Sequence, residues 1–155
     1  MATASQARTK FKSWNGLKEG APVDKAIVNP WNKKSGRHCK SKSTPWCAIS
    51  TASCLIQTHI SRASISAACT TQMKWYKNKK RFRKRGATPK VGDLVFYNFK
   101  NSKTTISTHT GMVTSVNNPK GYIYVIEGNK NDKVGYRHLP YTSKSIVGFG
   151  VPYYK

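Results

Sequence analysis

Thr44-Pro45-Trp46-Cys47-Ala48-Ile49-Ser50-Thr51-Ala52-Ser53-Cys54-Leu55-Ile56-Gln57-Thr58-His59-Ile60 is the stretch on which the reading of the fold turns. Thr44 can cap a helix with its hydroxyl, and Pro45 suits the first helical position, where an N–H would have no partner. Ile49, Ala52, Ile56 and Ile60 recur at i, i+3, i+7 and i+11 and make one apolar face. At 100° per residue, Cys47, Thr51, Cys54 and Thr58 fall on the opposite side, a stripe of small side chains that lets another element approach closely. The spacing predicts a helix buried on two sides.

Working outward, Val23, Ala26, Ile27 and Trp31 keep helical spacing from Pro22 to near Pro30, and a polar loop over residues 32–43 follows. Residues 1–21 are polar and basic with isolated Phe11, Trp14 and Leu17, which reads as a loosely held arm ahead of one domain spanning residues 22–155. Downstream, Ile65, Ala68, Cys69, Met73 and Tyr76 predict a second helix that starts near Ser64 or Ser66. It is expected to run through the basic residues 77–85 and end by Gly86. After Pro89 the period changes to two, and strands are expected over residues 93–99, 109–116, 122–127 and 145–149. Turn-rich pieces at 117–121 and 128–132 separate them, and short connections favour antiparallel neighbours. Helices first and strands afterwards define an α+β fold, with N-terminal helices packed on a twisted antiparallel β-sheet.

Composition sets bounds on function. The 155 residues carry 28 Lys+Arg against 5 Asp+Glu, a net charge of +23. Leu, Ile, Val and Phe supply only about 18% of the chain, a level that with high charge leans toward disorder. Four Trp and eight Tyr, gathered in periodic segments, indicate instead an ordered core with a charged exterior. The longest mainly apolar stretch, residues 46–60, falls short of the roughly 20 residues a membrane span needs. The N-terminal residues lack the apolar core of a secretory signal, so the expectation is synthesis in the cytoplasm and action elsewhere only after release or delivery. Cysteines at 39, 47, 54 and 69 include no C-x-x-C pair, which argues against a disulfide scaffold and against zinc, even though His38 adjoins Cys39.

Cys47 is the sharpest chemical candidate. In a first helical turn, unpaired N–H groups and the positive end of the helix dipole stabilise a thiolate. The alternative is a buried space-filler, the reading that suits Cys39, Cys54 and Cys69. Cys54 sits roughly 10 Å further along the helix, too far to pair with Cys47. Of the four histidines, His109 stands out, because it opens a strand just before Gly111, where the missing side chain leaves room for another group. Glu127, one of few acids, ends a β-branched and aromatic strand, so it either orients an imidazole or neutralises nearby lysines. Asp93 reads as a turn-fixing residue at the strand entry.

Pro45-Trp46-Cys47-Ala48, Gly92-Asp93-Leu94-Val95-Phe96, His109-Thr110-Gly111-Met112-Val113, Glu127-Gly128-Asn129 and Gly148-Phe149-Gly150-Val151-Pro152 together resemble the CHAP domain, the cysteine- and histidine-dependent amidohydrolase/peptidase family. The blocks fall in family order over residues 22–152. The resemblance implies a papain-like fold, Cys47 as nucleophile, His109 as base, and Glu127 and Asn129 as the polar residues that orient the histidine or stabilise an oxyanion. It implies a monomeric peptidoglycan hydrolase of the phage endolysin kind, with no cofactor, and Trp46 is a candidate wall of the substrate groove. The related NlpC/P60 family is the nearest competitor, but the Glu-Gly-Asn block is closer to CHAP. Some CHAP domains carry an acidic calcium loop before the cysteine. Residues 33–42 here contain no carboxylate, so no metal is expected. The excess charge is expected to hold the enzyme on anionic wall polymers. A rival reading takes residues 77–85 as a phosphate-binding run with Phe82 free to stack on a base, but no nucleic-acid motif accompanies it, and specific nucleic-acid binding is not expected.

Overall fold

A computed structural model describes residues 2–100 and 104–155. Helices α1 (Ala4–Lys12), α2 (Ala21–Val23), α3 (Asn29–Ser35), α4 (Cys47–Gln57) and α5 (Cys69–Asn78) precede or flank a sheet of β1 (Phe82–Lys84), β2 (Leu94–Tyr97), β3 (His109–Asn117), β4 (Tyr122–Lys130), β5 (Lys133–Pro140) and β6 (Ile146–Gly150). The sheet order is β1-β6-β2-β3-β4-β5, and every neighbouring pair is antiparallel. This is the expected α+β architecture. Among the described residues, no helix is long and apolar enough to cross a membrane.

Helix α4 is the centre of the molecule, and every residue from Cys47 through Leu55 is buried. Its small side chains bring other backbones close on several sides. The Ser53 hydroxyl donates to Ile27 O at 2.7 Å, and the Cys54 thiol donates to Ala7 O at 3.1 Å. A Cβ on Gly128 would collide with Ser50, so β4 lies directly against the first turns of α4. The cap differs from the expected one: the helix starts at Cys47 with Trp46 at the N-cap and no side-chain cap, two residues later than Thr44 would have set it.

The stretch from Ala21 to Ser35 is continuously helical, with a π-helical segment at Asp24–Val28 before Pro30. Proline has no N–H to give the carbonyl four residues back. That carbonyl, Ala26 O, accepts Gln57 Nε2 at 3.0 Å, so α4 makes the proline tolerable inside the helix. The chain leaves α3 at Gly36, whose φ of 77° suits glycine.

The N-terminal segment departs from the expected loose arm, and of that segment only Met1 lies outside the described residues. Thr3 and Gln6 form a reciprocal capping box at the start of α1. Ala7 and Phe11 are fully buried, and Trp14 nearly so, in the same core as α4. Spaced at i, i+4 and i+7, these three residues form a face that the high local charge disguised.

Two strands went unforeseen. Residues 77–85 do not continue α5: the helix ends at Asn78, Lys80 takes φ 57°, and Phe82–Lys84 pair with β6 at the sheet edge. Phe82 lies so close over Gly148 that a Cβ there would clash with its ring, and Lys77 Nζ sits 4.9 Å from the ring centroid. Phe82 is therefore not free to stack on a base. Helix α5 also begins later than Ser64 or Ser66, because Ile65 is drawn off to accept Trp31 Nε1 at 2.8 Å. Strand β5 follows β4 through a turn in which Asn131 and Asp132 both take positive φ, the geometry of a tight hairpin.

The sheet buries residues on both faces. Leu94, Phe96, Met112 and Ile126 face the helices, whereas Val95, Tyr97, Val113, Val125 and Phe149 form a second core on the opposite face. The start of β3 and the end of β4 are thereby fixed rigidly beside the N-terminus of α4.

Candidate active site

Cys47 is the first residue of α4, and its side chain is 7% exposed. The loop leading to it is tied down locally. Asn32 exchanges two hydrogen bonds with the Cys39 backbone, at 2.9 and 3.0 Å, and Asp24 Oδ1 accepts Ser41 N–H at 2.7 Å. Trp46, expected to wall the substrate groove, is instead fully buried, and its indole Nε1 donates to Glu19 Oε1 at 2.9 Å. A large apolar ring beside the N-cap is worth more in the core than in a groove, and Glu19 satisfies its one polar atom.

His109 opens β3, and its ring stacks near Tyr97 with centroids 5.8 Å apart. Its Nε2 lies 2.9 Å from Glu127 Oε1, which leaves Nδ1 as the nitrogen available to Cys47. Gly111 has the role that its position promised: a Cβ there would come within 2.6 Å of Glu127 Cγ, so only glycine lets the carboxylate lie across β3. Glu127 is fully buried. Arg137 grips it with two bonds, Nε to Oε2 at 2.8 Å and Nη2 to Oε1 at 3.0 Å, while its guanidinium lies 4.9 Å from the Phe99 ring centroid. A bidentate, charge-assisted pair of this kind fixes the carboxylate plane as well as its charge.

The protonation states follow from these contacts. The strongest influence on Cys47 is the neighbouring Cys69 thiol, which hydrogen-bonds the thiolate. Burial opposes it, but His109 and the Ala48 N–H add to it, and the Cys47 pKa falls to about 5. Burial alone would lower the His109 pKa. Hydrogen bonding to Cys47 and Glu127, together with their negative charges, reverses that and raises it to about 9. Burial likewise works against ionised Glu127, yet His109 and Arg137 hold its pKa below the usual value. Near neutral pH the site is thus a thiolate–imidazolium pair backed by an anchored carboxylate, the arrangement suited to nucleophilic attack on a carbonyl.

Asn129 sits where β4 bulges, with φ 60°. It lines a cleft of about 310 Å³ shared with His109, Phe99, Lys130 and Arg137. Among the described residues no hydrogen bond joins its amide to Cys47, His109 or Glu127. Asp93 accepts Lys90 N–H at 2.8 Å, the turn-fixing role expected of it, and burial pushes its pKa up to about 6.

Two members of the site escaped the sequence reading. Arg137 reaches Glu127 only because the hairpin register sets Glu127 opposite Gly135 and Val125 opposite Arg137. The Asn131-Asp132 pair, residue types that tolerate positive φ, was the available signal. Cys69, read as filler, places its sulfur 3.5 Å from that of Cys47. Nothing in its own segment announced this contact, which depends on how α5 docks on α4.

A comparison with protein-family models matches the CHAP domain at residues 39–129. A comparison with curated protein sequences gave no match. Among solved structures, the chain is similar to the one titled "The crystal structure of Ly7917", with a TM-score of 0.50 and 12% identity, a likeness of fold alone. The alignment covers 97% of this chain but 63% of that one, so the chain spans less than two thirds of its structural neighbour. With its Cys, His and Glu blocks inside the matched region, the chain belongs to the CHAP domain family, a family of hydrolases of the amidase and peptidase kind.

Proposed function

We propose that this chain hydrolyses an amide bond in bacterial peptidoglycan by covalent catalysis at Cys47. The observation that carries the proposal is the hydrogen-bonded chain from His109 through Glu127 to Arg137, set beside Cys47 at the N-terminus of α4, where His109 helps to lower the Cys47 pKa. The Cys47 thiolate attacks the scissile carbonyl, and the oxyanion takes hydrogen bonds from the Cys47 backbone N–H with help from the Asn129 amide. His109, held through Nε2 by Glu127, delivers a proton from Nδ1 to the leaving amine. The resulting thioester is attacked by water, whose proton His109 accepts, and the thiolate is released.

Substrate retention is assigned to the basic surface. A groove of about 860 Å³ lies away from Cys47 along β1 and is lined by Lys77, Lys80, Phe82, Lys84 and Arg85 among others. Wall polymers rich in phosphate and carboxylate would be attracted to it and to the +23 charge as a whole. The enzyme would act as a monomer on the wall after release or delivery from the cytoplasm, as an endolysin-like lytic protein. Purified walls test the reaction: wild type should clear them, and C47A and H109A should not. Equal clearing by all three would overturn the assignment.

A further inference from the structure

Cys69 makes and breaks no bond in the hydrolytic cycle, yet it is 8% exposed and its sulfur lies against that of Cys47. Cys47 and Cys69 are each the first residue of a helix, so two helix N-termini converge on one pair of sulfurs. Gln72 locks the two helices together there. Its Nε2 donates to Ala48 O at 2.8 Å and to Ser66 O at 2.9 Å, and its Oε1 lies 3.0 Å from Thr51 Oγ1. The 3.5 Å sulfur separation is therefore set by packed backbone rather than by a mobile loop. A disulfide needs sulfurs about 2.05 Å apart, so closing the gap takes about 1.5 Å of side-chain movement.

We propose that Cys69 is a resolving cysteine, and that hydrogen peroxide converts the pair into a reversible Cys47–Cys69 disulfide that switches the enzyme off. The consequence for activity rests on Cys47 being the nucleophile as proposed above; the cross-link itself does not. In the first step the Cys47 thiolate displaces hydroxide from peroxide, giving a sulfenic acid, and the hydroxide takes a proton to become water. In the second step the Cys69 sulfur attacks the sulfenic sulfur, its proton leaves with the departing hydroxide as a second water, and the disulfide forms. The two cysteines lose two electrons and peroxide gains them. Two equivalents of an external thiol return them.

The electrostatics favour this order. Cys69 ionises reluctantly because it hydrogen-bonds the Cys47 thiolate, because it is buried, and because that thiolate repels a second negative charge. Oxidation of Cys47 to a neutral sulfenic acid removes both the bond and the repulsion, and so frees Cys69 to attack. The other two cysteines are placed otherwise: Cys54 donates to Ala7 O, and Cys39 sits in the loop before α4. The pairing would spare Cys47 from irreversible oxidation to the sulfinic acid.

The test uses the full chain, treated with hydrogen peroxide, alkylated with iodoacetamide and digested with trypsin without reductant. Peptides 43–62 and 63–74 should appear as one linked species, with fragmentation placing the bond at Cys47 rather than Cys54. Dithiothreitol should separate them and restore wall hydrolysis to the untreated level. In C69S the link should be absent, Cys47 should accumulate as the sulfinic acid, and dithiothreitol should restore nothing. Wild-type protein carrying sulfinic acid at Cys47 and an alkylated, free Cys69 would overturn the proposal. If the reduced protein never cleaved walls, the proposed function would fail, but the peptide map would still decide whether the disulfide forms.

Discussion

Cys47 and Cys54 sit two turns apart on α4, in the same buried column, and the protein treats them in opposite ways. Cys47, at the N-terminus, meets the Cys69 thiol, His109 and a free backbone N–H, and its pKa falls to about 5. Cys54, in the helix interior, is pushed up to about 12 by burial that the charge of Lys10 and the Phe11 backbone only partly offset. Residue type, helix and burial are shared, so the difference comes from helix position and neighbours. A thiol becomes a nucleophile where donors converge on it, and stays an inert core group where its only role is to donate to a carbonyl.

The largest expected separation of the two comes from alanine. C47A should lower wall hydrolysis by a factor on the order of 10⁴ or more, because it removes the covalent step. C54A should leave kcat nearly unchanged and cost about 1–2 kcal/mol of stability, from a small cavity and a lost hydrogen bond. Comparable activity losses in both would mean that the distinction drawn between them is false. Steady-state hydrolysis with thermal denaturation separates the two effects.

The next largest effect concerns what holds the histidine. E127Q keeps the size of the side chain but removes the charge that favours imidazolium, and should cost about 10³-fold or more in kcat, by analogy with triads whose acid is removed. R137M leaves Glu127 buried and half-paired, and should cost about 10- to 100-fold, the usual scale for a group that positions a catalytic partner. R137K should recover less than fully, since a single ammonium cannot reproduce the two-point grip. If Arg137 merely supported the fold, R137M would lose stability without moving the upper limb of the pH profile.

That profile is itself a prediction. Activity needs Cys47 ionised, which is satisfied above about pH 5, and His109 protonated, which is satisfied below about pH 9. Hydrolysis should therefore hold a plateau between those values and fall on both sides. In E127Q the upper limb should move to lower pH, because the carboxylate that raised the His109 pKa is gone. Cys54 should resist alkylation across this whole range in folded protein. The smallest effect is expected from salt, where neutralising Lys77, Lys80 and Lys84 should weaken wall binding at low ionic strength and change little at high.

How much of this was written in the sequence depends on how local each signal was. Helix α4 and strands β2, β3, β4 and β6 each carry their own periodic apolar pattern, and Gly111 marked the place where Glu127 crosses β3. Strand β1 has almost no apolar content of its own. It is a strand because Phe82 finds Gly148 on a neighbour more than sixty residues later. Strand β5 buries only Val134 fully, so its alternation was faint, and Arg137 stayed hidden with it. Trp46 lies next to Cys47 in sequence, but its side chain turns inward to Glu19, a contact between two segments with no shared pattern. Cys69 depends on helix docking that no spacing records.

The most direct measurement is to label the native protein with limiting iodoacetamide near neutral pH, and to follow carboxamidomethylation of Cys47 and wall hydrolysis in the same samples. One label per chain, at Cys47 and ahead of Cys54 and Cys69, should abolish hydrolysis in proportion to the fraction labelled. Undiminished hydrolysis by protein fully labelled at Cys47 would contradict its role as the nucleophile.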